Sequence, residues 1–207
     1  MKIEISSRYD YSVLFSIEAE SRKLAVEAAV KSGVDLFKAN LSKADLSGAD
    51  LSGANLMRAS LSKADLSGAD LSGANLMMAS LSKADLSGAD LSGADLFRAD
   101  LFRANLMRTN LRGANLHKSN LSGADLRGAV IAENATVNRE PLQLVGLIYP
   151  IIIWDHHMTI GCEFHSLVEW ANFDDMQITA MDSSRALTFW QLHKDTLLTL
   201  AKSDGRE

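Results

Sequence analysis

The 207-residue sequence predicts a mainly β solenoid, a four-sided coil of about five turns, with a hairpin and helix before it and a small α+β domain after it. Three observations predict it. Leucine returns every five residues from Leu36 through Leu126, a twenty-residue block recurs almost unchanged, and the texture of the chain changes on either side of residues 34–133.

The repeat comes first because it dictates the rest. Units of the form Ala-(Asp/Asn)-Leu-x-x tile Val34 to Glu133 as twenty consecutive pentapeptides, Ile131 taking the last leucine slot. Val34, Thr109 and Ser119 stand in for Ala, and Ser60, Ser80 and Val130 for Asp or Asn. A period of five suits neither the 3.6-residue helix nor the two-residue strand, so the chain must turn once per unit. Ala and Leu, two apart, share the inner face of a short extended segment, and the Asp or Asn between them points out. Many corners read Ser-Gly, as at Ser47-Gly48, where Gly supplies the positive φ of a type II turn. Units that end in Lys, Arg or Met are expected to turn differently.

The longer period sets the number of sides. Residues 41–60 recur at 61–80 with one change, Arg58 to Met78, and at 81–100 with three. Twenty residues therefore make one circuit of four sides, and five circuits stacked at strand spacing span roughly 24 Å.

This pattern closely resembles the pentapeptide-repeat family, and the resemblance covers residues 34–133. It implies a right-handed quadrilateral β-helix.

The open ends of such a coil need covers. Over residues 1–33, Lys2–Ser6 and Ser12–Glu18 read as strands around Arg8-Tyr9-Asp10, and Ser21–Lys31 as a helix stopped by Gly33. Over residues 134–207, strands are expected at Leu144–Trp154 and Met158–Cys162, joined through Asp155-His156-His157, and helices at Ser166–Phe173 and Ala186–Ala201. This domain is expected to cover the last coil, with Asn138–Pro141 as its boundary. Its Ile-Gly-Cys-x-x-His (160–165) and Glu-Trp-x-x-Phe-Asp-Asp (169–175) elements resemble a C-terminal extension of some bacterial and phage pentapeptide-repeat proteins, an extension that implies no activity.

Charge divides by segment. Residues 34–133 carry eleven basic and eleven acidic groups, and the whole excess of −5 lies beyond them. No basic nucleic-acid footprint follows from these sums. Sorted by side, however, two adjacent sides of the coil total +5 and the other two −5. The basic ladder is Lys43, Lys63, Lys83 and Arg103, and the acidic faces carry Asp45, Asp65 and Asp85, then Asp50, Asp70 and Asp90. Lys43 is placed to pair with Asp45 across the edge. A further corner carries Phe37, Met57, Met77, Phe97 and His117, an apolar ladder suited to docking or to shielding the corner backbone.

Chemistry-bearing residues are sparse. His157, Cys162 and His165, with His156 beside them, are the weak candidates for a metal site or a Cys–His nucleophile. One sulfur and no completing ligand pair favour a small buried Cys with turn or surface histidines, and no metal or other cofactor is expected. The apolar run Ile148–Trp154 is broken by Pro150 and too short for a bilayer, and Met1–Ser16 lacks the apolar stretch of a signal peptide. The lone cysteine fits a reducing compartment, and the expectation is a cytoplasmic protein.

The function expected is non-catalytic: a β-solenoid scaffold for protein–protein interaction, its partner an unidentified protein or a second copy of the chain, with no direct contact to nucleic acid or membrane. The resemblance implies an alternative, since some family members mimic duplex DNA and bind type II topoisomerases such as gyrase. A short rod of zero net charge, acidic on half its perimeter, suits that role less well.

Overall fold

Five alternating residues at the N-terminus and a loop fastened by Asp10 are enough for a hairpin. β1 (Lys2–Ser6) pairs antiparallel with β2 (Val13–Glu18), burying Ile3 and Ile5 on one face. Ser12 donates both its N–H and its hydroxyl to Asp10 Oδ1, at 3.2 and 2.8 Å, which holds the loop. α1 (Arg22–Lys31) starts where the Ser21 hydroxyl accepts the Leu24 N–H, and it buries Ala25, Val26 and Ala29. The computed structural model describes residues 1–132, 135–137, 141–144, 147–161 and 163–206, and it divides into two compact units, Met1–Glu140 and Pro141–Glu207.

In the repeat, the corner consumes most of each unit. Ala44 N–H donates to Leu41 O at 3.2 Å and Ala69 N–H to Leu66 O at 3.0 Å, so every turn spans Leu-x-x-Ala. One residue per unit, the Asp or Asn, is left outside the turns. The strand segments expected between corners therefore contract to single parallel bridges, each joining residues twenty apart: Asn40↔Ser60, Asp45↔Asp65, Asp50↔Asp70, Asn55↔Asn75 and onward. Three hydrogen bonds tie each unit to the next circuit. Leu46 N–H donates to Asp65 O at 2.8 Å, Asp65 N–H to Ala44 O at 2.9 Å, and Gly48 N–H to Ser67 O at 2.8 Å. Leu and Ala alternate through the interior; Leu36 through Leu106 are wholly buried.

The corners differ from the sequence expectation. Units ending in Lys, Arg or Met do not use another turn: Lys43, Arg58 and Met78 have φ of 59°, 58° and 57°, like Gly48 at 59° and Gly68 at 64°. The stacking explains this, because Lys43 N–H donates to Ser62 O at 3.0 Å as a glycine's would. A left-handed conformation costs an L-residue about 1–2 kcal/mol, and the inter-coil hydrogen bonds hold it there.

The hairpin and helix attach to the first circuit. Ser7 bridges Ala39, Arg22 Nη2 donates to Asn40 O at 2.7 Å, Lys23 Nζ to Ser47 O at 2.7 Å, and Glu27 Oε1 accepts the Asp50 N–H at 3.0 Å. The coil's exposed backbone at that end is thus met by side chains of α1. At the other end of the repeat, β3 (Val130–Ala132) pairs antiparallel with β4 (Ala135–Thr136).

The second unit is a meander backed by helices. β5 (Leu142–Leu144), β6 (Ile151–Ile153), β7 (His157–Ile160) and β8 (Glu163–Ser166) pair antiparallel in chain order. α2 (Leu167–Asn172) and α3 (Asp175–Ser203) follow, and Ile151, Ile153, Met158, Trp170, Trp190 and Leu197 lie in the core. The strand expected over Leu144–Trp154 is two strands, since Pro150 has no N–H to give a ladder. The helix expected from Ala186 begins eleven residues earlier, at Asp175, because Asp174 and Gln177 form a capping box. Its first turns are largely exposed, so apolar periodicity does not reveal them. Among the described residues no helix is long and apolar enough to cross a membrane.

Candidate functional site

The outward side chains of the coil form ladders, because bridged residues lie one above another at about 4.8 Å. The Asp and Asn rungs have a local role that the sequence reading missed. Asp70 Oδ1 accepts the Ser72 N–H at 2.9 Å, Asp85 that of Ser87 at 2.9 Å, and Asn75 that of Met77 at 3.1 Å. Each rung fastens the corner that follows it, an Asx turn. The recurrence of Asp or Asn two residues before the corner's first hydrogen-bonding N–H is the signal that could have revealed it.

Three carboxylates of the acidic sides are held in the charged form by the corners they fasten. The Ser47 hydroxyl and N–H hold Asp45 below the usual carboxylate range, Ser52 does the same for Asp50, and Ser92 leads for Asp90. Two later rungs relieve the stack: Asn105 Nδ2 donates to Asp85 Oδ1 at 3.0 Å and Asn110 Nδ2 to Asp90 Oδ1 at 3.1 Å.

Lys43, Lys63, Lys83 and Arg103 are exposed, and none makes an ion pair among the described residues. The expected Lys43–Asp45 pair does not form. Asp45 lies past the corner and accepts from Ser47, and among the described residues of the repeat the ion pair is Arg127 with Asp125, at 2.5 Å. Where Ser replaces the Asx rung, Ser42 and Ser60 hydroxyls lie 2.6 Å apart and those of Ser62 and Ser80 2.8 Å, giving a low, neutral strip.

The Phe37, Met57, Met77, Phe97 and His117 ladder is half-buried throughout. Phe97 and His117 stack with centroids 5.6 Å apart and planes 5° from parallel. Cations lie over the rings: Lys38 Nζ is 4.7 Å from the Phe37 centroid, and the Arg98 guanidinium 5.2 Å from that of Phe97. The corner presents rings whose edges and cations both face water.

The histidines of the second unit do not converge. Met158 is the register partner of His165, and His157 that of Ser166, so His157 and His165 project from opposite faces of the β7–β8 pair. His165 packs edge-on against Trp170 and Phe173, at 5.2 and 4.8 Å, whereas His157 stacks on Phe164 at 4.9 Å. Burial pushes His157 below its ordinary pKa. Cys162 lies outside the described residues, and among those described no group of three or more His, Cys, Asp or Glu is arranged to hold a metal. The sequence reading also passed over Arg206, whose Nη1 lies buried 3.7 Å from Asp155 Oδ1 and donates to Ile153 O at 3.1 Å.

A coil turning once per five residues, with Leu and Ala inside and Asx-fastened corners, defines a β-helix of five-residue repeats. The Pentapeptide repeats family model matches residues 32–53, 39–77, 54–93 and 94–131, and this chain belongs to the pentapeptide-repeat family. Similar solved structures include a pentapeptide repeat protein of the Arabidopsis thaliana thylakoid lumen, 42% identical over 41% of this chain and 63% of its own, with a TM-score of 0.34. Another, from Nostoc PCC 7120, is 41% identical over 42% of this chain and 76% of its own, with a TM-score of 0.21. QnrB1, a plasmid-mediated fluoroquinolone resistance protein, is 25% identical over 44% of this chain and 58% of its own, with a TM-score of 0.29. The chain spans less than two thirds of the length of the Arabidopsis protein and of QnrB1. No curated protein matches it.

Proposed function

We propose that this chain is a non-catalytic scaffold for protein–protein interaction, its repeat a right-handed quadrilateral coil of five circuits acting in the cytoplasm. The observation that carries the reading is the corner ladder from Phe37 to His117, in which half-exposed rings and thioethers stand beside a column of cations, Lys38 and Arg98 lying over Phe37 and Phe97. Such a strip gives a partner apolar contact and charge together, the composition of an interface core and its rim. The test is capture from a lysate of the source organism with the whole chain as bait, beside a variant carrying Phe37→Ser, Met57→Ser, Met77→Ser and Phe97→Ser. A protein retained by the parent and lost from the variant supports the reading, and identical captures overturn it.

The acidic ladders favour a second reading, a DNA mimic that binds a type II topoisomerase. Asp45, Asp50 and Asp90 are held ionised on adjoining sides, as phosphate surrogates must be. Dose-dependent inhibition in a gyrase supercoiling assay supports it; no effect at large molar excess removes it.

A further inference from the structure

The ladder of Asn40, Ser60, Ser80, Asp100 and Asn120 and the ladder of Asp50, Asp70, Asp90 and Asn110 are two corners apart in each circuit, so they stand on opposite sides of the coil. Their surroundings are complementary. On the first side the rungs are Ser or Asn except for Asp100, with Ser60 only 9% exposed, and long cations flank them: Arg58 and Arg98 before, with Met78 between those two, and Lys63, Lys83 and Arg103 after. On the second side the carboxylates of Asp70 and Asp90 stand between low Ser-Gly corners. A Cβ added at Gly68, Gly73, Gly88 or Gly93 would meet nothing within 4 Å, so these shoulders are open. One side is a trough between basic ridges, and the other an acidic ridge between low shoulders.

The two sides also share one pitch, because each rung of both bridges the residue one circuit on, as Asp70 N–H donates to Ala49 O and Asp70 O accepts the Leu51 N–H. A row of cations on one copy and a row of carboxylates on another therefore stay in register over several circuits. In the N-terminal segment Arg22 is seated at Asn40 on the basic side and Glu27 at Asp50 on the acidic side, while Lys23, on Ser47 O at 2.7 Å, sets one cation at the first shoulder of the acidic side. From these observations we infer that the acidic side of one copy docks laterally on the basic side of a second copy of this chain. Because the two surfaces differ, the contact is heterologous and each docked copy still offers a free side, so association is open-ended. Solvent-exposed charge pairs make it weak and salt-sensitive. The inference goes beyond the scaffold reading, which rests on the apolar corner rather than on these two sides and names no mode of self-association.

Sedimentation velocity of the full chain tests it, at about 10 mM and about 1 M salt, where the Debye length is about 30 Å and about 3 Å. The expected result is a mass that grows with protein concentration at low salt and returns to a single small species at high salt. Two variants use residues the repeat already accepts at these positions: Asp50→Asn, Asp70→Asn and Asp90→Asn keep the Asx bond, and Lys43→Gly, Lys63→Gly and Lys83→Gly keep the left-handed corner. Each alone is expected to associate at least tenfold more weakly, and an equimolar mixture, which retains one complementary pair of sides, to stop at a dimer. A monomeric parent at low salt, association unchanged in either variant, or a mixture that forms nothing overturns the inference. So does a monomeric parent that instead retains a short DNA duplex through the same lysines.

Discussion

The Oδ1 of Asp70 accepts the backbone N–H of Ser72 at 2.9 Å, and this short bond is repeated around the coil wherever Asp or Asn precedes the leucine. It explains why a residue with no inward contact recurs so regularly.

The first prediction separates the acceptor from the charge. Asp70→Ala removes the corner's side-chain acceptor and is expected to lower stability by about 0.5–1.5 kcal/mol, the usual net worth of one hydrogen bond. Asp70→Asn keeps the acceptor, as Asn75 does for Met77 at 3.1 Å, and is expected to leave stability within about 0.5 kcal/mol. Urea denaturation of the two variants beside the parent checks the order.

Left-handed corners that lack glycine invite the opposite experiment. Lys63 has φ 61°, and Lys63→Gly relieves a conformational cost of about 1–2 kcal/mol while adding backbone entropy to the unfolded chain worth about 0.5–1 kcal/mol. The net expectation is a gain of roughly 0.5–1 kcal/mol per corner. Thermal unfolding of single and triple corner variants measures it, and a loss on substitution would show that the lysine side chain contributes more than its strain.

Leu71 is wholly buried in the interior ladder. Leu71→Ala is expected to cost about 2–5 kcal/mol, because neighbours fastened by three hydrogen bonds per unit cannot collapse into the space. The unfolding midpoint in urea, at unchanged slope, reads the loss.

Acid should weaken the first unit over a defined window. Ser7 and Ser12 hydrogen bonds lower Asp10 to about 2, and serine or arginine donors lower Asp45, Asp50, Asp90 and Asp125. A carboxylate with a lower folded than unfolded pKa adds stability that is whole above the unfolded value of about 4 and disappears as pH falls through the folded value. Melting temperature is therefore expected to hold from neutral pH to about 5 and to fall between about 4 and 2. Asp10→Asn should flatten the lowest part of that profile.

In the second unit, Asp155 and Arg206 are 4% and 3% exposed. Arg206→Ala leaves a buried carboxylate beside an apolar core, and the expected loss is about 3–5 kcal/mol. Loss of near-ultraviolet tryptophan signal at lower denaturant than in the parent, with the coil's far-ultraviolet spectrum retained, would locate the damage in residues 141–206.

The five-residue period, the twenty-residue circuit and the inward Leu and Ala follow from the sequence, because a side chain that repeats at one spacing can be buried only if the backbone turns at that spacing. The hairpin over Lys2–Ser6 and Val13–Glu18 and the helix ending at Lys31 were legible for the same reason: local alternation and capping residues specify them. What only the tertiary structure decided lies between circuits. That Lys43, Arg58 and Met78 adopt the conformation of glycine follows from hydrogen bonds to residues nineteen positions on, not from their own preferences. That Lys43 does not reach Asp45, and that His157 and His165 face apart, depends on turn direction and strand register, which residue spacing does not encode. The charge of the sides was legible once the twenty-residue circuit was known, but their relief was not: that Ser60 lies low and that the shoulders at Gly68 and Gly88 are open depends on how the wound corners pack.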